Sequence, residues 1–122
     1  MNYIGNLSTH NGKVGKLGED FAVEYLISKG HIILDRNFRI KLGEIDIITN
    51  FQNKIHIVEV KTSQSLNVKP EENMNIQKMR KVAKLGEIYS KERLFCIDFI
   101  GVSLKKDFSL EKITHLENIE IY

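Results

Sequence analysis

Two β-branched runs, Gly43–Asn50 (GEIDIITN) and Lys54–Thr62 (KIHIVEVKT), are separated only by Phe51, Gln52 and Asn53. Runs of this kind, set this close, read as an antiparallel hairpin. A two-residue loop (Gln52-Asn53) pairs Phe51 with Lys54, and a four-residue loop pairs Asn50 with Ile55. Both choices give one register, with Ile48 opposite Ile57, Asp46 opposite Glu59 and Glu44 opposite Lys61. Directly opposed residues share a face, with Cβ atoms about 4.5–5.5 Å apart. One face of the hairpin therefore carries Ile55, Ile57 and Ile48 near the turn, then Asp46, Glu59, Glu44 and Lys61 further along. The apolar end can pack under a helix. The polar end must meet solvent, a cleft or a cation.

The remaining elements set a frame around this hairpin. Val14, Leu17, Gly18, Phe21, Ala22, Tyr25 and Leu26 recur at helical spacing, which predicts a helix over Lys13–Lys29 with Asn11 as N-cap and Gly30 as its stop. His31–Phe38 reads as a strand. Ser63–Pro70 reads as a loop, with the only proline near the start of the next helix, expected over Glu71–Ser90. Leu94–Leu104 is a fourth strand, and Lys112–Tyr122 a fifth strand or tail. The order α-β-β-β-α-β-β predicts an α/β fold with a mixed central sheet flanked by helices.

A chain of 122 residues suits one domain, 1–122, with its core over about residues 12–118. The single cysteine, Cys96, excludes an intramolecular disulfide and a cysteine-rich zinc site. No apolar run reaches the ~18 residues of a membrane span. The first residues lack the apolar core of a secretory signal, so the expected compartment is the cytoplasm. A net charge of +2 is too balanced to mark a nucleic-acid binder by bulk charge.

Two opposed carboxylates destabilise a sheet unless a proton or a metal lies between them. Oxygen ligands of this kind suit Mg²⁺ or Mn²⁺, and a neighbouring lysine can orient water or stabilise charge on a phosphate. A plainer arrangement is equally open. Glu44 and Lys61 can form a cross-strand ion pair, Asp46 can serve a turn, and a one-residue bulge would separate the acids.

An acid on one strand followed by E-x-K on the next, here Asp46 and then Glu59-Val60-Lys61, is the pattern of the PD-(D/E)XK nuclease superfamily. GKLGEDFAVEYLISKGHIIL, RNFRIKLGEIDII, VEVKT, the Gln77-Lys78 helix, CIDFIGV and HLEN follow in one order over roughly Gly12–Asn118. In this the chain resembles the YraN-like proteins, small bacterial predicted endonucleases similar to archaeal Holliday-junction resolvases. The resemblance implies a restriction-endonuclease-like fold, Asp46 and Glu59 as metal ligands completed by the Val60 carbonyl, and Lys61 as catalytic lysine. Glu19 matches the first-helix glutamate that joins the site in resolvase-like members. The chain departs from the family pattern in carrying Thr62-Ser63-Gln64 after VEVK, where an arginine is usual, and Cys96-Ile97 where an arginine usually precedes the strand aspartate.

Lys78, Lys81 and Lys84, with Arg80, give the second helix a basic side suited to spaced phosphate contacts. Arg36, Arg39 and Lys41 surround the hairpin entrance, placed to bind phosphate, although solubilising a loop explains two of them equally. Asp98 and His115 match family positions, although a buried hydrogen bond explains each as well as catalysis does. Cys96 reads as a small core residue, and His10, His31 and His56 show no metal-ligand spacing. The expectation is a Mg²⁺-dependent (or Mn²⁺-dependent) endonuclease acting on DNA, selective for branched or single-strand-containing structures, as a homodimer. The alternatives are a DNA-binding subunit without its own cleavage, and a non-enzymatic interaction protein with a structural acidic cluster.

Overall fold

The computed structural model describes residues 2–64 and 75–120, with side chains from Gly12 onward. Helix α1 spans Asn2–Ser28, followed by strands β1 (Ile32–Ile40), β2 (Gly43–Phe51) and β3 (Lys54–Ser63). Helix α2 (Ile76–Ser90) then leads to β4 (Phe95–Leu104) and β5 (Leu110–Leu116). The strands form one mixed sheet in the order β1-β2-β3-β4-β5, with β3 and β4 parallel and the other neighbours antiparallel. This is the α-β-β-β-α-β-β arrangement of the restriction-endonuclease-like class expected from the sequence.

The hairpin has the two-residue loop. Phe51 pairs with Lys54, and Gln52 (φ 53°) and Asn53 (φ 61°) are both left-handed. Positive φ at both central positions is the type I′ geometry, whose twist matches that of the strands it joins. The register from Phe51↔Lys54 to Ile47↔Val58 is the expected one.

Each helix covers one face of the sheet. Ala22 and Leu26 of α1 bury against Ile47, Val58, Ile100, Val102 and Leu104. Met79, Val82 and Leu85 of α2 bury against Ile45, Ile48, Ile55, Ile57 and Ile97. Alternation along β3 and β4 sends even-numbered residues to α1 and odd-numbered ones to α2. That parity is the reason both parallel strands carry apolar residues at odd and at even positions.

Several boundaries differ from the sequence reading. Helix α1 begins far upstream of Asn11, so N–H groups near Asn11 already have acceptors one turn back and need no cap. Its C-terminus is as expected: Gly30 is left-handed (φ 100°), and His31 donates its N–H back to the Leu26 carbonyl. Helix α2 begins at Ile76, because extended Asn75 caps it by accepting from the Gln77 and Lys78 N–H groups at 2.8 and 3.2 Å. The expected first turn at Glu71–Met74, and the loop and proline at Ser65–Pro70, lie outside the described residues. Strand β5 stops at Leu116 rather than running on. Asn118 turns left-handed and gives its N–H to Asp98, and Ile119 donates to the Ile97 carbonyl and packs under α2.

Candidate active site and a second side-chain cluster

The carboxylates of the hairpin lie where β2 and β3 stop pairing. The ladder ends at Ile47↔Val58, so the expected Asp46↔Glu59 and Glu44↔Lys61 pairs are absent from it. Ile45 and Ile48 both bury under α2, while Ile47 buries under α1. Strict alternation therefore slips at Asp46. On the other side, β1 carries left-handed Asn37 between the Arg36↔Ile47 and Phe38↔Ile45 pairs. A local irregularity of this kind re-aims a side chain, and here the Asp46 Oδ2 accepts the Val60 N–H at 2.8 Å.

The slip does not separate the two acids. Glu59 is only 4% exposed, and burial together with the neighbouring charge of Asp46 pushes its carboxyl up to about 8. Lys78 of α2 opposes that rise, its Nζ standing 3.5 Å from Glu59 Oε2. Glu59 Oε1 is buried and has no hydrogen-bond partner among the described residues. A buried carboxylate oxygen left without a donor is costly, and its usual remedies are a proton or a cation.

Glu19 reaches this edge of the sheet from α1. Burial, then the charges of Asp46 and Glu44, raise its pKa, while Arg36 works the other way. Arg36 stands 3.6 Å from Glu19 and donates to Asp20 at 2.9 Å. A cleft of about 500 Å³ is lined by Glu19, Val60, Lys61, Thr62 and Gln64. A second cleft of about 520 Å³ shares Glu19 and adds Lys16, Arg36 and Asn37. Thus Glu19, Glu59 and the Val60 N–H gather around Asp46, with Arg36 tied in through Glu19 and Lys78 through Glu59, and Lys61 borders the cleft that Glu19 lines. Arg39 and Lys81 are outside this group. Arg39 donates to Glu44 at 3.0 Å on the exposed surface, which makes Arg39, not Lys61, the cross-strand partner of Glu44. The Lys81 stem lies beside Gly43 at the start of β2.

A family description covering residues 18–102 matches the chain: uncharacterised protein family UPF0102. The chain belongs to this family. These are the YraN-like proteins that its motifs resemble. A UPF0102 protein of Caldanaerobacter subterraneus is 39% identical over 112 residues, covering 86% of this chain and 92% of that one. One from Thermodesulfovibrio yellowstonii is 41% identical over 111 residues (87% and 94%), and one from Dictyoglomus turgidum 44% over 85 residues (69% and 72%). The matched span contains the whole acidic group, from Glu19 to Lys61. Among the described residues, no helix is long and apolar enough to cross a membrane.

The fold also assembles a cluster that spacing along the chain does not announce. His56 and Cys96 are partners across the parallel β3–β4 pair, and Asp98 follows two residues on, all three on the α1 side. His56 Nδ1 is 2.9 Å from Asp98 Oδ2 and 3.2 Å from Cys96 Sγ, and Cys96 Sγ is 3.6 Å from Asp98 Oδ1. His115 Nε2 also reaches Asp98 Oδ2 at 2.9 Å, with Tyr25 Oη 3.0 Å from its Nδ1. Burial pushes the Asp98 carboxyl upward. Hydrogen bonds from His115, His56 and the Asn118 N–H outweigh that and hold it below the ordinary range. Burial, then the Asp98 charge, pushes the Cys96 thiol up to about 12. His56, Cys96 and Asp98 offer ligand atoms within 4.8 Å of one another, a group able to hold a metal ion. The only sequence signal was shared parity on two strands, and it becomes readable once their parallel register is known.

Proposed function

We propose that this protein is a metal-dependent endonuclease that hydrolyses DNA phosphodiester bonds at the edge of the sheet where β2 and β3 part. The observation that carries this reading is Glu59: a buried carboxyl against Asp46, with one oxygen that no donor among the described residues satisfies. Its donor set is hard oxygen, which fits Mg²⁺ or Mn²⁺. Asp46 and Glu59 would hold the ion, with the Val60 carbonyl as a further donor. Such a cation supplies charge neutralisation at the phosphate and a water of lowered pKa.

The chain's own residues divide the other tasks. Lys61 lines the cleft and carries an ammonium that holds a phosphate oxygen or orients the attacking water. Glu19, whose raised pKa favours proton uptake, faces the same cleft as an assisting acid or base. Lys16 and Arg36 line the adjoining cleft, where a DNA backbone leaving the site would pass. Lys78 is 48% exposed at its side chain and free to exchange Glu59 for a phosphate. The chain has little surface for reading base sequence. Phosphate geometry, and so branched or single-strand-containing DNA cut by a pair of chains, is the expected substrate class.

Isothermal calorimetry with Mn²⁺ and cleavage of matched four-way-junction and linear DNA test the reading together. Wild type should bind Mn²⁺ and cut the junction faster. Asp46→Asn and Glu59→Gln should lose both properties, while Lys61→Ala keeps metal affinity and loses cleavage, because an ammonium is no ligand. Wild-type metal binding in both acid variants, or native cleavage by Lys61→Ala, would refute it. Salt-dependent DNA binding without cleavage would identify a DNA-binding subunit instead.

A further inference from the structure

We propose that His56, Cys96 and Asp98 form a second metal site, for Zn²⁺ or a similar borderline-soft divalent ion, separate from the oxygen site at Asp46 and Glu59. Glu59 lies three residues beyond His56 along β3, about 10 Å away. It points to the α2 face, whereas His56 points to the α1 face.

The donor chemistry differs in the same way. One imidazole nitrogen, one sulfur and one carboxylate oxygen suit zinc, whereas magnesium prefers oxygen alone. In a tetrahedral zinc centre, ligands roughly 2.0–2.3 Å from the metal lie about 3.3–3.8 Å from one another. The His56–Cys96 and Cys96–Asp98 separations of 3.2 and 3.6 Å are already close to that spacing, and the His56–Asp98 pair, at 2.9 Å, would open by about 0.4 Å or more. The backbone supports it too, because adjacent parallel strands fix all three Cα positions.

The protons that join these three side chains can be exchanged for an ion without leaving a net buried charge. His56 Nδ1 has at most one hydrogen, and two acceptors compete for it, Asp98 Oδ2 at 2.9 Å and Cys96 Sγ at 3.2 Å. When Nδ1–H serves Asp98 Oδ2, the thiol hydrogen goes to Oδ1 at 3.6 Å, so two protons hold the metal-free trio together. A divalent ion replaces both hydrogens: the thiol proton leaves to solvent, and the imidazole proton moves from Nδ1 to Nε2. Thiolate and carboxylate then balance the ion's charge, so the buried centre is neutral. Asp98 is oriented by His115, itself fixed by Tyr25, at Oδ2 and by the Asn118 N–H at Oδ1, the outer support that metal-binding carboxylates commonly receive. Three protein donors leave a fourth position for water.

Cys96 is the chain's only cysteine, which makes the test specific. Titration of the full chain with Co²⁺ should give one equivalent showing a thiolate-to-cobalt charge-transfer band, displaced by Zn²⁺ and unaffected by excess Mg²⁺. Asp46→Asn should keep the band, and His56→Gln should weaken cobalt affinity at least tenfold. Cys96→Ser, checked for folding by circular dichroism, should abolish the band. Absence of the band in wild type saturated with Co²⁺ would overturn the proposal whether or not the variants fold. The oxygen site gives no thiolate band, so the result is independent of the nuclease reading.

Discussion

Gly18 is the point at which α1 comes down on β3. A Cβ added there would lie 1.8 Å from Thr62 Oγ1 and 2.8 Å from both Thr62 Cβ and Cγ2. Rotation about χ1 of Thr62 can remove the hydroxyl and the methyl from the path, but not Cβ. Carbon atoms rest about 3.5–4.0 Å apart, so the helix must withdraw by roughly 1 Å even after the side chain turns. Overpacking of this size costs about 1–3 kcal/mol. An alanine in an open helix would instead gain up to about 1 kcal/mol over glycine. The sign is therefore diagnostic: Gly18→Ala should be destabilised by about 1–2 kcal/mol, a fall in Tm on the order of 3–8 °C. Urea unfolding followed by circular dichroism measures it, and Thr62→Ala in the same chain should recover part of the loss as a positive coupling. Because Glu19 follows Gly18 and Lys61 precedes Thr62, the displaced helix should also slow any cleavage. A Gly18→Ala protein as stable as wild type, or more so, would show that α1 does not sit this close to β3.

Three further outcomes are expected. Glu59, raised from 4.5 to about 8, gives up its proton in the unfolded chain first, so wild-type stability should fall as pH rises from about 4.5 and level off above about 8. Glu59→Gln should flatten that decline in thermal melts between pH 5 and 9, and parallel profiles for the two proteins would contradict the burial of its charge. Asn75→Ala removes the acceptor for two N–H groups of α2 and should cost about 0.5–2 kcal/mol in urea unfolding, with Asn75→Asp close to wild type. Arg39→Ala breaks an exposed ion pair with Glu44 and should change stability by less than about 1 kcal/mol in the same assay, so a larger loss would reveal a buried role.

Much of the sheet was legible in the chain because its signals are local. Gln52-Asn53 sets the hairpin turn, the turn sets the register, and period-two alternation then assigns Ile55, Ile57 and Ile48 to one face. Asp46, Glu59 and Lys61 were legible as a group for the same reason, and Glu19 joined them only through the family resemblance. The slip at Asp46 was not, since it depends on a left-handed Asn37 across the ladder and on the Val60 N–H. Nor was the start of α2, where Asn75 competes with a run of other polar residues. His56, Cys96, Asp98 and His115 are scattered along the chain, and only the β3–β4 and β4–β5 registers bring them together.

The strand order leaves β1 and β5 as the two outer strands, and each meets its neighbour through a ladder with a register shift, at Ile33/Asp35 and at Ser103/Leu104. Open strand edges invite other chains to add to them, and proteins discourage this with charges and irregular geometry. Here Asp35, Arg36 and Arg39 interrupt the free edge of β1, and Glu111 and Lys112 that of β5. The exposed apolar pair Ile32 and Leu34 lies at the shifted end of β1, where a regular run of added hydrogen bonds is broken. Growth of the sheet by added strands is discouraged at both sides. For the paired action on DNA proposed above, helix and loop surfaces are therefore better suited as the meeting face than the strand edges.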